Sequence, residues 1–168
     1  MTYKEWQEDF ETKRYMILIN LQDKTDEEVY RYFMYDNMRQ NHPEHCGLYV
    51  QGIKCHQVDD LNCFNCGCPD FEILEPPVAL TNGCTVYSVC KSASRFADNF
   101  QGDDSTEIHC DCSKCVLPHK KPKTLRNIKE VRDTYGIRET KNIQDGYSFL
   151  FYLRSWQFTD ILDKLKLF

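Results

Sequence analysis

Two Cys-x-x-Cys pairs, Cys63 with Cys66 in "CFNCGCPDF" and Cys112 with Cys115 in "CDCSKCVLPH", set the strongest limit on what this chain can fold into. A two-residue spacing lets one tight turn aim both sulfurs at a single cation, and thiolates are soft, charged donors for Zn2+. Cys55, His56, Cys68 and His119 flank the two knuckles, making eight donors where one tetrahedral ion takes four. Two four-coordinate sites, or one two-metal cluster with bridging sulfurs, match that number. The spacing favours Cys63, Cys66, Cys112 and Cys115 in one site and Cys55, His56, Cys68 and His119 in the other. Alternatives exchange Cys68 for a knuckle residue.

All ten cysteines fall between residues 46 and 122, and their even number would suit a disulfide scaffold in an exported chain. The opening "MTYKEWQEDFETKRY" mixes acidic and basic side chains and holds no apolar stretch of signal-peptide length. The most apolar runs, "YMILINL" and "YSFLFYL", fall well short of the ~20 residues that span a bilayer. A soluble, cytoplasmic protein is therefore expected. In a reducing compartment, clustered cysteines serve metal binding or redox chemistry more often than structural bridges. The net charge of −5 repels a phosphate backbone at long range, so dedicated nucleic-acid binding is not favoured.

A length of 168 residues with 41% hydrophobic content fits a single domain of α+β class. Three parts are expected: a helical flank over 1–45, a cysteine-rich, metal-organised irregular module over 46–122, and a mainly helical flank over 123–168. Trp6, Phe10, Ile17 and Leu21 lie on one face of a helix over 3–20. "TDEE" offers Thr25 as an N-cap with Glu28 reaching back, which starts a second helix running to about Gln40. Pro43 ends it. The middle region is poor in continuous apolar sequence, and metal ligation would supply the missing constraint. Thr124 is placed to cap a further helix carrying Leu125, Ile128, Val131 and Tyr135, which Gly136 stops. "GYSFLFYLRS" reads as a strand or a buried helix, and the segment after Ser155 as a helix.

The motif Cys55-His56, Asn62-Cys63, Cys66, Cys68-Pro69, Asp111-Cys112, Cys115 and Pro118-His119 resembles the cysteine-rich small domain, a metal-binding family of bacteria and archaea, over about residues 54–121. The resemblance implies metal binding by those cysteines and histidines and says little about a reaction. Some members of that family appear linked to cobalamin biosynthesis. The segment between Pro69 and Asp111 is longer here than in the family pattern, and nothing outside 54–121 inherits a role. Cys46, Cys84, Cys90 and Cys110 have no assigned place in it.

The leading expectation is thus two structural zinc ions supporting recognition of a protein or small-molecule partner. An iron–sulfur or redox protein, with or without enzymatic activity, is the alternative, because cysteine triplets followed by proline also hold clusters. A third reading is nucleic-acid binding through the basic segment 120–132, which carries Lys120, Lys121, Lys123, Arg126, Lys129 and Arg132. No GxSxG, P-loop, GxGxxG or HExxH pattern points to catalysis. Cys84 and Cys90 are spaced to share one face of a strand, where packing and a ligand role are both open; Cys110 is expected to point away from Cys112 if the turn is extended, as a spare thiol or a replacement ligand; and "HPEHC" at 42–46 reads as a polar, helix-ending loop.

Overall fold

A computed structural model describes residues 2–95, 97–103 and 105–137. The segment "GYSFLFYLRS" and the helix expected after Ser155 lie outside the described residues. Within them the chain is α+β, with helices before and after a mixed four-stranded sheet.

Helix α1 (Tyr3–Asn20) starts at a reciprocal cap: the Thr2 hydroxyl accepts from Glu5 N, and the Glu5 carboxylate accepts from Thr2 N. Phe10, Ile17 and Leu21 are buried on its inner face, whereas Trp6 is 36% exposed and stacks on Phe10 with ring centroids 5.8 Å apart. Helix α2 (Asp26–Tyr32) opens on the Thr25–Glu28 capping box read from the sequence. It does not continue to Gln40. Met34 adopts extended backbone angles and bridges to Asn62, so a separate helix α3 (Tyr35–Asn41) follows. The interruption comes from a distant segment: Tyr35 N donates to Leu61 O at 2.9 Å, and Cys63 N donates to Phe33 O at 2.8 Å.

Helix α4 (Lys121–Thr134) packs on α2, burying Ile128. Its start is one turn earlier than a Thr124 cap would give. Pro122 sits in the first turn, where a missing N–H costs nothing, and the Thr124 hydroxyl donates instead to Pro118 O at 2.9 Å. Gly136, at φ +66°, ends the helix as expected. Arg132, 3% exposed, pairs with Asp26 and donates to Lys24 O and Ile137 O, tying the end of α4 to the α1–α2 junction.

Strands β1 (Phe71–Ala79), β2 (Thr85–Cys90), β3 (Asp98–Phe100) and β4 (Glu107–Asp111) form a sheet in the order β1-β2-β4-β3. β1 runs antiparallel to β2, β2 parallel to β4, and β3 antiparallel to β4. No residue of β1 or β3 is buried, and only Ser88 of β2 is. The apolar core lies elsewhere, among the helices and the 61–64 segment, where Leu18, Val29, Phe33, Met38, Leu61, Phe64 and Ile128 are essentially inaccessible. Among the described residues no helix is long and apolar enough to cross a membrane.

Candidate metal centre

The Cys63-x-x-Cys66 knuckle is held by its two asparagines. Asn62, fully buried, donates from Nδ2 to Tyr30 O at 2.7 Å and accepts from Phe64 N at 3.0 Å. Asn65, 1% exposed, donates to Pro118 O at 2.8 Å and accepts from Asn127 Nδ2 at 3.1 Å. The first knuckle is thereby locked to α2, to α4 and to the turn Leu117–His119 that delivers His119.

His119 then meets the first cysteines. Its Nδ1 lies 2.6 Å from Asn62 O. A carbonyl oxygen only accepts, so Nδ1 carries the proton and the Nε2 lone pair is left free, as a metal-ligating histidine requires. The donor atoms of Cys55, His56 and His119 all lie within 4.8 Å of one another. His56 Nδ1 is 3.3 Å from Cys55 Sγ, while its buried Nε2 has no hydrogen-bond partner among the described residues. The neighbouring sulfurs of Cys55 and Cys63, with burial, push the Cys66 thiol far up, and Cys66 in turn holds Cys63 down. Interaction with Cys66, aided by His56 and His119 against the cost of burial, brings Cys55 down to about 5. A buried imidazole nitrogen without a partner beside a thiol already poised as thiolate is a donor set that fits Zn2+. Cys55, His56 and His119, with thiolate from the Cys63–Cys66 knuckle, are the residues that would hold it.

A second group gathers where β1 begins and β2 and β4 end. Gly67 makes the separation: at φ +73° it turns the chain between Cys66 and Cys68, and a Cβ there would lie 3.0 Å from the Trp6 ring. Cys68 O accepts from Phe71 N, the first residue of β1, which is paired with Cys90. Cys110 Sγ and Cys112 Sγ are 3.5 Å apart, and Cys115 Sγ is 3.6 Å from the Ser94 hydroxyl. Burial pushes Cys112 up to about 12, reinforced by its bond to Cys110 and by the nearby sulfurs of Cys68 and Cys90.

Of the eight residues singled out in the sequence, Cys55, His56, Cys63, Cys66 and His119 therefore come together, and Cys68, Cys112 and Cys115 lie in the other group. This grouping differs from the preferred partition, which joined the two knuckles, and is closer to the alternative that exchanges Cys68 for a knuckle residue. The Cys63–Cys66 sulfurs engage Cys55 rather than Cys112, because the 61–63 segment is pinned to the helix break while Cys112 follows a strand of the sheet. Cys110 does not point away from Cys112; residues two apart along a strand share a face, a signal present in "HCDC". Cys84 stands apart, with the Gln101 amide 3.7 Å from its sulfur, and Cys46 packs half-buried against the core. All ten cysteines are free thiols.

Fold and site together define a class, an α+β chain carrying a Cys/His donor group. Comparison with protein-family models, with curated proteins and with solved structures finds no match. The resemblance to the cysteine-rich small domain thus rests on the motif residues alone.

Proposed function

We propose that the chain is a metal-binding protein in which two zinc ions organise the segment from Cys55 to His119 and so present a surface for a protein or small-molecule partner. The convergence of Cys55, His56 and His119 donor atoms within 4.8 Å carries this reading. The exposed strands support it as well, since a sheet with almost no buried side chain gains little from the hydrophobic effect and needs another constraint. The cytoplasm is the compartment this thiol chemistry suits.

Iron–sulfur ligation is the second reading, favoured by one observation: the group at the strand ends offers sulfur donors and no imidazole. Nucleic-acid binding draws less support. Lys121 pairs with Glu27, Lys123 with Asp70 and Arg132 with Asp26, which leaves Lys120, Arg126 and Lys129 as the exposed cations of the 120–132 segment outside these pairs.

Elemental analysis of full-length protein purified without oxygen tests the reading, combined with its visible spectrum and acid-labile sulfide. The expected result is about two zinc per chain, without colour or sulfide. Cys66→Ser and Cys112→Ser should each lower the zinc content, and Cys46→Ser should leave it unchanged. Iron with sulfide and a brown absorbance would replace zinc with the second reading, and unchanged zinc in both ligand variants would remove the assignment.

A further inference from the structure

Strand register places Cys90 and Cys110, which belong to neither knuckle, beside Cys68 and the Cys112–Cys115 knuckle. β2 and β4 are parallel with Thr85 opposite Glu107 and Val86 opposite Ile108. Carried along at the same register, Ser88 falls beside Cys110 and Cys90 beside Cys112. The bond from Cys110 N to Ser88 Oγ, at 2.9 Å, follows that register. On the other side of β2, Cys90 pairs with Phe71, whose N–H is tied to Cys68 O, and Lys91 N donates to Asp70 O at 2.7 Å. The turn at Cys68 is thereby clamped against the end of β2. Cys115 joins through the second knuckle, where its N–H donates to Cys112 O at 2.9 Å.

We propose that Cys68, Cys90, Cys110, Cys112 and Cys115 form an all-thiol site for a soft divalent cation, with Cys90 and Cys110 as donors that the knuckle motifs do not contain. The proposal rests on the metal-binding reading and assigns the ligands of its second ion. Four sulfurs at about 2.3 Å from a tetrahedral ion stand about 3.8 Å from each other. The 3.5 Å between Cys110 and Cys112 is close to that spacing. The donor set differs in kind from the first group, which holds two imidazoles. Thiolate-only coordination selects softer ions and carries a greater negative charge, so the two sites should differ in metal preference and in the pH at which they empty.

Full-length protein reconstituted with Co2+ alone, and separately with Zn2+ alone, tests this. Charge-transfer absorbance from sulfur to Co2+ scales with the number of thiolates bound. The double variant Cys90→Ser/Cys110→Ser leaves only three thiols in the group. It should lose half of the bound metal and more than half of the charge-transfer intensity, keeping the ion held by Cys55, His56 and His119. Alkylation mapped by mass spectrometry on the unmutated chain gives an answer that does not depend on how the variant folds. With Zn2+ bound, Cys90 and Cys110 should react at least tenfold more slowly than Cys84, and a chelator should abolish that protection. Full metal content in the double variant, or Cys90 and Cys110 reacting as fast as Cys84 in the loaded protein, overturns the proposal. A wild-type chain that takes up no metal fails the underlying reading instead, and one that binds a single ion with Cys90 and Cys110 unprotected fails this proposal alone.

Discussion

His45 sits 6% exposed, with its ring 4.8 Å from Phe10 and 6.4 Å from Phe33, and neither nitrogen has a hydrogen-bond partner among the described residues. Burial, with the neighbouring His42 and Lys13 adding to it, lowers its pKa from 6.5 to about 4. A base whose folded pKa lies below its unfolded one favours the native state as the neutral species. Its contribution is therefore complete above pH 6.5 and is lost as pH falls toward 4, to the extent of about 3 kcal/mol. Replacing the imidazole by an uncharged ring removes that dependence. His45→Phe should lose about 3 kcal/mol less stability than the wild type between pH 7 and pH 4, read from urea midpoints at each pH. Parallel losses in the two proteins would show that His45 charges in the folded protein without cost. The sequence "HPEHC" identifies the turn correctly, but Phe10 and Phe33 are distant in sequence, and local pattern carries no trace of the ring cage they build.

At the level of elements, the start of α2 was legible from local residues, the Thr124 cap does not form, and the break that a remote segment imposes on the second helix left no local signal. Both capping boxes follow from residues three positions apart, so Thr25 and Glu28 announce the start of α2 unaided. The break at Met34 is different, since it exists only because Leu61–Cys63 supplies backbone partners to Phe33 and Tyr35. Asn62 is the joint. Its side chain satisfies Tyr30 O and Phe64 N inside the protein, and removing it strands two buried backbone groups, each costing about 1–3 kcal/mol. Asn62→Ala should therefore destabilise the fold by about 3 kcal/mol in a denaturant titration. It should also weaken Zn2+ uptake, because the lost side chain anchors the backbone whose carbonyl fixes the His119 tautomer. Stability within a few tenths of a kcal/mol of wild type would mean that water or a neighbour replaces both bonds. In the sequence, Asn62 is one residue of the cysteine motif and Asn65 an ordinary polar spacer; their burial depends on α2 and α4, which supply partners to them.

For the molecule as a whole, the two layers are stabilised by different means. The helical layer owns the apolar core and is stapled by Arg132, which reaches Asp26, Lys24 O and Ile137 O from α4. The sheet has almost no buried side chain, and the second thiol group lies where β1 begins and β2 and β4 end. The α+β class was legible because helix caps and apolar periodicity are local signals, and the proposed donors were named from local spacing. Their partition was not, because strand register and the turn at Gly67 decide which sulfurs meet. The division predicts uneven consequences of metal removal. Free energy of metal binding is folding free energy for whatever the metal organises. A strong chelator should thus abolish amide protection in β1, β2, β4 and the Cys55–Cys66 loop, while α1, α2 and α4 exchange less than tenfold faster. Hydrogen exchange followed by mass spectrometry, before and after chelation and after adding Zn2+ back, reads both layers in one sample. Restored protection on re-addition would tie the sheet's order to the bound ions. Strands that remain protected in the chelated protein would show that the sheet stands without metal, and the thiols would then have to be explained by chemistry rather than by architecture.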